Sequence, residues 1–417
     1  MSLKRVPHVR QFHCRTWGFS FNPPLQWFIL IGMSRLTRTH IFLVAFLLCR
    51  LSCSSQSRPA WTQLTGLPAE MTANGAALSI GPDGYLYAQV RAASLSAIHV
   101  FRTLTANPTT WQDITGKGLP SATPRAMGFM PNGTVLMSTT WGKGNEDVYT
   151  WNGSTTSPVW AKVKGWTGES SSHIYSFTND SAGYTYFSPA WSGDIWRNDK
   201  PNSVHFKPIV DNLYSITHGG AEGHDETGGI YALKVWDLGD GKGDMIWACG
   251  EGELDNISLN FKRASNTAYL TTAQGYKGNC TSLAKSATTI LAFRTADAAM
   301  DTLTSIDVAT RVATVHPSPS ARTATSFPYN ISTNEVGILQ WMSGTNFIVS
   351  AFDASRNGTY LLLSKDDGVT WVDITAAGAI DGSCTGANLS AGAVATAHTI
   401  FVRCQNGKAL WQYGPVE

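Results

Sequence analysis

Four short strings in this chain each follow a turn pair at nearly the same interval. Asp83-Gly84 precedes Tyr-Leu-Tyr-Ala, Asn132-Gly133 precedes Thr-Val-Leu-Met, Ala182-Gly183 precedes Tyr-Thr-Tyr-Phe, and Gly228-Gly229 precedes Ile-Tyr-Ala-Leu. The turn glycines are spaced by 49, 50 and about 46 residues. Weaker copies at Asn266-Thr267, Gly344-Thr345 and Ala397-His398 bring the number to seven. Such turn pairs before β-branched and aromatic runs signal hairpins, and almost no helical period interrupts them from Trp61 onward. A period near fifty, long enough for a hairpin and two more strands, predicts an all-β fold, a β-propeller. In that fold each four-stranded blade buries its faces only against its neighbours. Seven blades are expected; six, with residues 290–335 as a long insertion, is the alternative.

A second repeat marks the outer strands: Trp61-Thr-Gln-Leu, Trp111-Gln-Asp-Ile, Trp160-Ala-Lys-Val and Trp371-Val-Asp-Ile. Its first copy precedes any complete blade, so the strand near Trp61 is expected to pair with the last blade near Trp411 and close the ring.

Ahead of the repeats, Met33 opens a segment with Arg35 and Arg38, an apolar run Ile41 to Leu48 and the small residues Ser52-Cys53-Ser54-Ser55. That is the three-part layout of a secretory signal. Residues 1–55 therefore read as leader and signal peptide, with translation starting at Met33, and residues 56–417 as a single propeller. The expected location is secreted or extracellular, or periplasmic in a bacterium. Four cysteines, Cys249, Cys280, Cys384 and Cys404, fall in the presumed mature domain. They allow three connectivities, the simplest joining neighbours. Eight N-x-[S/T] sequons, at Asn132, Asn152, Asn179, Asn256, Asn279, Asn330, Asn357 and Asn388, mark a glycoprotein if the host is eukaryotic.

Only 14% of residues are charged and the formal net charge is +2. With no basic run in the body of the chain, nucleic-acid binding lacks its electrostatic footprint. No apolar stretch reaches the roughly eighteen residues of a membrane span.

Ser364-Lys-Asp366-Asp-Gly368-Val-Thr370-Trp371 matches the Asp-box, S-x-D-x-G-x-T-W, at every fixed position. On these residues the chain resembles the sialidase-like propellers built on Asp-box (BNR) repeats. Phe101 to Trp111 resembles a degenerate copy with one extra residue. Locally, Asp366 is expected to accept backbone amides of the hairpin, Gly368 to supply positive φ, and Trp371 to plug the blade core. Ser364, Asp366, Gly368, Thr370 and Trp371 are thus structural. Sialidases also carry an F-R-I-P string and three arginines. The nearest string here, Phe101-Arg102-Thr103-Leu104, runs straight into the Asp-box-like copy and reads as an outer strand. The resemblance implies a fold shared by glycosidases, polysaccharide lyases, lectins and assembly factors.

Chemistry is expected on the loop-rich face. Eight residues beyond Gly133, Gly183 and Gly228 lie Trp141, Trp191 and Trp236, each placed at the end of a second strand, with Tyr276 near the equivalent place in the next blade. Aromatic faces at one level suit stacking on sugar rings, and equally suit packing between blades. The cluster His218, Glu222, His224 and Asp225 supplies proton-transfer groups, with a solvated loop as the alternative. No cofactor is expected. Asp237, Asp240 and Asp244 have calcium-like spacing without the closing Glu of an EF-hand, so a divalent metal is only an alternative and its ligands stay unknown. The function read from the sequence is a monomeric propeller that binds carbohydrate and either cleaves it, as a glycosidase or lyase, or acts as a lectin. A protein-interaction propeller is the other reading.

Overall fold

The computed structural model of the chain describes residues 60–74, 76–90, 98–140, 147–166, 174–189, 194–210, 228–239, 241, 243–252, 260–263, 282–294, 302–310, 312–316, 339–353, 358–375, 393–404 and 409–417. The chain divides into two units, Met1–Ser57 and Arg58–Glu417, and every described residue belongs to the second.

The described residues open with strand β1 (Ala60–Gln63) and a short helix α1 (Ala69–Asn74). The first complete sheet runs β2 (Ala77–Ile80), β3 (Tyr85–Val90), β4 (His99–Leu104), β5 (Gln112–Asp113). The second is β6 (Thr123–Phe129), β7 (Val135–Thr140), β8 (Val148–Trp151), β9 (Trp160–Lys162), and the third β10 (Ile174–Asn179), β11 (Thr185–Pro189), β12 (Ile195–Asn198), β13 (Phe206–Val210). A three-stranded sheet follows among the described residues, β14 (Gly228–Trp236), β15 (Met245–Gly252), β16 (Asn260–Arg263). Next come β17 (Ser282–Lys285), β18 (Thr289–Arg294), β19 (Thr302–Asp307), β20 (Ala313–His316), then β21 (Leu339–Ser343), β22 (Asn346–Asp353), β23 (Gly358–Ser364), β24 (Val372–Asp373). The last sheet holds β25 (Val394–Ala395), β26 (Ile400–Cys404) and β27 (Ala409–Gly414), with β1 as its outer strand.

The fold is an all-β propeller, and β1 closes the ring as its sequence predicts. Trp61 lies opposite Tyr413 and Gln63 opposite Trp411 in an antiparallel ladder. The apolar core is divided in the same way. Among the described residues seven buried clusters each sit between two successive sheets, from Phe101 against Phe401 round to Ile374 against Val402. Second strands are therefore buried on both faces, and β3 reads Leu-Tyr-Ala-Gln-Val without an exposed residue. Blades of this kind cannot bury themselves alone, so the joint that joins first and last sheets carries as much as any other.

Outer-strand tryptophans lock the blades. Trp160 Nε1 donates to the Ile114 carbonyl of the preceding blade at 2.9 Å, and Trp61 Nε1 donates to the equivalent Ile374 carbonyl at 2.8 Å. After Trp111 and Trp371 the same Asp-Ile-Thr follows and makes the same bonds. The Thr115 amide donates to Asp113 Oδ1 at 2.8 Å while Thr115 Oγ1 accepts the Val100 amide at 3.0 Å; the Thr375 amide donates to Asp373 Oδ1 at 3.0 Å while Thr375 Oγ1 accepts the Leu361 amide at 2.7 Å. In the Ser364–Trp371 turn, Asp366 accepts the Thr370 amide at 2.8 Å and its hydroxyl at 2.6 Å, Gly368 has φ 84°, and the Trp371 ring is buried between blades.

The repeat register is displaced in one stretch. Gly228-Gly229 begins the inner strand β14 and is not a turn before a second strand. The actual turn of that blade spans Asp237 to Asp244, where Gly239, Gly241 and Gly243 all have positive φ, and β15 is its second strand. The following turn lies at Ser286 to Thr288, before β18. Asn266-Thr267 lies outside the described residues. A nine-residue inner strand opening on two glycines imitates a turn pair followed by a strand, and this misplaced the reading.

Candidate functional site: the axial channel

The first strand of each sheet lines the propeller axis. Together β2, β6, β10, β14, β17, β21 and β25 enclose a cavity of about 730 Å³. Inner strands have no sheet partner on the axial side, so their exposed backbone groups need side-chain partners. Neighbouring strands supply them. Ser176 and Thr178 hydroxyls accept the Leu233 and Val235 amides at 3.2 and 3.0 Å, and Ser282 Oγ accepts the Leu339 amide at 3.1 Å. Gln340 accepts the Ala395 amide at 2.9 Å and donates to the Ala393 carbonyl at 3.3 Å, and Asn179 Nδ2 donates to the Phe129 carbonyl at 2.7 Å.

Against that neutral lining stand three charged residues, Arg125, Lys234 and Lys285, all cationic, with no carboxylate among the described lining residues. Lys234 lies on β14 between Ala232 and Trp236, which face the next blade, while Leu233 and Val235 pack toward the previous one. Its side chain keeps some solvent contact through the channel, yet protein surrounds it, and this desolvation pushes its pKa below the ordinary lysine value. Lys285, the last residue of β17, shares the Leu283 side of its strand and so faces β14. Among the described residues neither ammonium has a carboxylate or hydrogen-bond partner.

Two tryptophans stand at the same mouth, the end that carries the turns between first and second strands. Trp236 ends β14 and lies 6.3 Å from the buried Trp247 ring. Trp341 on β21 is 46% exposed, and its Nε1 donates to the Gly344 carbonyl at 3.0 Å, which fixes the indole.

The same face carries two matching polar clusters outside the channel. Tyr87 Oη donates to Asp83 Oδ2 at 2.7 Å, with the Arg102 guanidinium 4.0 Å over the Tyr85 ring. Tyr186 Oη likewise donates to Asp180 Oδ2 at 2.7 Å, with Arg197 4.3 Å over Tyr184. Burial, then the aspartate bond, pushes both phenols well above the ordinary tyrosine value, so they stay protonated donors. Asp366 is pulled upward by burial, but bonds from Thr370 and Ser364 outweigh this and hold it below the usual carboxylate range.

Of the residues singled out from sequence, Trp236 is not at the end of a second strand but at the end of an inner one, so it does not share a level with positions that follow β7 and β11. Trp141, Trp191, Tyr276, His218, Glu222, His224, Asp225 and Asp240 lie outside the described residues. Asp237 accepts the Gly239 amide at 2.8 Å, and Asp244 accepts the Ser181 amide and hydroxyl at 3.0 and 2.5 Å. No group of three or more His, Cys, Asp or Glu converges among the described residues. Cys404 is buried and disulfide-bonded; Cys280, Cys384 and the side chain of Cys249 lie outside the described residues. Of the sequons, Asn152 and Asn179 have their amides engaged, Asn152 Nδ2 donating to the Ser157 carbonyl at 3.1 Å. No described helix is long and apolar enough to cross a membrane.

Sequence reading missed Lys234, Lys285 and Trp341. Their signal is lysine or tryptophan on an inner strand, visible only once strand order is right.

No protein-family model matches the chain, and comparison with curated proteins finds no relative. Solved structures are similar in fold. The Neurospora crassa Pan2 WD40 domain is 12% identical, with a TM-score of 0.51 over 87% of this chain and 97% of that one. The Dos1 propeller is 9% identical, with a TM-score of 0.53 over 86% and 95%. At such identities the likeness is one of fold.

Proposed function

We propose that this chain is a non-catalytic recognition propeller that engages a protein partner at the channel mouth on the turn face. Trp341 carries the reading: a large aromatic, nearly half exposed and held by its own Nε1 bond, is the kind of rigid anchor that dominates protein interfaces. Three described aspartates of that face support it, since Asp83, Asp180 and Asp366 serve turns and tyrosines. The similar solved structures are propellers too, one of them a WD40 domain. Within this reading the match of Ser364–Trp371 to the Asp-box at every fixed position favours a kinship with Asp-box propellers. The signal-like segment after Met33 and the Cys404 disulfide favour export.

Panning a phage-displayed peptide library on the wild-type chain and on Trp341→Ala tests the proposal. Peptides enriched by the wild type and lost with Trp341→Ala support it; equal enrichment on both overturns the assignment to this mouth.

A second reading, carbohydrate binding, draws on Trp236 and Trp341 as stacking faces. Its catalytic form rests on His218, Glu222, His224 and Asp225. A glycan panel separates the two forms: new reducing ends or unsaturated products, abolished by alanine at those four positions, would make it an enzyme, and retention without product a lectin.

A further inference from the structure

We infer that the axial channel is an oxyanion site, in which Lys234 and Lys285 bind a carboxylate or phosphate group entering from the turn face. The two lysines stand on adjacent inner strands and face the same gap, one within the channel and one at its mouth. Four of the remaining polar lining residues, Ser176, Asn179, Ser282 and Gln340, are already committed to holding neighbouring strands together, which leaves the two ammonium groups to engage what enters the channel.

Buried or half-buried cations are ordinarily paired, because a charge surrounded by protein loses hydration that only an opposite charge or hydrogen-bond acceptors restore. Lys234 has no such group among the described residues, and desolvation opposes its charged form. A bound oxyanion supplies both charge and acceptors. Ammonium groups bind oxyanions as point charges, without the planar fork of arginine, so two lysines on adjacent strands of one cavity fit carboxylate and phosphate alike. The cavity, about 730 Å³, lies within the range of small-molecule sites. Trp236, beside Lys234 on the same strand face, and Trp341 give the mouth apolar walls that lower the local dielectric and strengthen the attraction. This inference does not depend on a protein docking at the mouth.

Calorimetric titration of the full chain with citrate, and separately with inorganic phosphate, in Tris at low chloride tests it. Saturable binding of at least one probe is expected, weakened about tenfold or more by Lys234→Met and measurably by Lys285→Met. Lys207→Met, which removes an exposed charge on β13 outside the channel, should leave it unchanged. A response to citrate alone assigns the site to carboxylates, and to phosphate alone to phosphates. No binding of either probe by the wild type up to about 10 mM, a dissociation constant too weak for a built site, overturns the inference. Equal weakening by all three substitutions overturns it as well, because that is the mark of diffuse charge. If Lys234→Met does not fold, by circular dichroism, unchanged affinity in Lys285→Met does the same.

Discussion

The outer and inner strands of this propeller treat repetition in opposite ways. Outside, Asp113-Ile114-Thr115 and Asp373-Ile374-Thr375 sit in blades far apart in the chain and make the same hydrogen bonds atom for atom. Along the axis the seven inner strands present Ser79, Met127, Phe177, Lys234, Lys285, Trp341 and Ala395, six residue types at seven positions. A position whose role is to close a turn or lock a blade recurs wherever that geometry recurs. One that faces the axis is released from that demand, since neighbouring strands solve the backbone problem with whichever of Ser, Thr, Asn or Gln is at hand. The divergence makes the channel asymmetric, with lysines and tryptophans gathered on β14, β17 and β21, and asymmetry is what a recognition site requires.

The sharpest way to break this contrast is at the closing strand. Trp61 packs in the core between the last two sheets, lies 5.0 Å from the Tyr413 ring, and donates to Ile374. Trp61→Ala is expected to destabilise by about 3–5 kcal/mol, as large aromatic truncations in cores do, read as a lower midpoint in urea. A midpoint close to the wild type would mean that the ring does not depend on its outer joint. Next in size is Thr375→Val, which keeps the volume but leaves the buried Leu361 amide without its acceptor. A loss of about 1–3 kcal/mol is expected, and Thr115→Val should behave alike if the two Asp-Ile-Thr segments are equivalent, although Thr115 is less deeply buried.

Asp366→Asn refines the comparison through pH. The folded protein holds this carboxyl below its ordinary range, so the stability it contributes is present above about pH 3.9, the usual unfolded value. It is lost as the pH falls through the lower folded value. The gap in melting temperature between wild type and Asp366→Asn should therefore be widest near neutrality and close on acidification. A gap independent of pH would show that the turn depends on the shape of the side chain and not on its charge.

These outer contacts were legible in the sequence because they are local. Trp371 follows Gly368 and Thr370 at fixed spacing, and Asp366 bonds within four residues of itself, so the motif states its own structure. Ring closure by Trp61 was legible for a related reason: an unpaired outer strand at the start can be satisfied only at the end. The axis was not legible. Gly228-Gly229 has the composition of a turn but opens β14, and the true turn hides in Asp237 to Asp244. With the register displaced, Trp236 was read onto the wrong strand. Lys234 drew no notice because lysine on a strand ordinarily faces solvent, and only the ring of inner strands turns that face toward the axis.

Lys234→Met carries the smallest expected effect on folding and separates the two regions most cleanly. Unlike Thr375, Lys234 has no partner among the described residues to abandon, and its stem already lies beside Ala232 and Trp236. The charged group facing it from β17 is Lys285, a like charge, and the other charged residue of the described lining, Arg125 on β6, is a cation as well. Near neutral pH without added oxyanion, the variant should be as stable as the wild type or slightly more so. The sign reverses the Asp366 case. Because the folded pKa of Lys234 lies below the unfolded value of about 10.4, the unfolded chain binds more protons between the two. Wild-type stability therefore gains a rising component with pH across that window. Lys234→Met should lack this component, and urea midpoints measured from pH 7 to 10 in both proteins would show the two curves converging as the wild type loses its uncompensated charge. A variant markedly less stable at every pH would mean that the ammonium is held by the protein itself and belongs with the outer contacts.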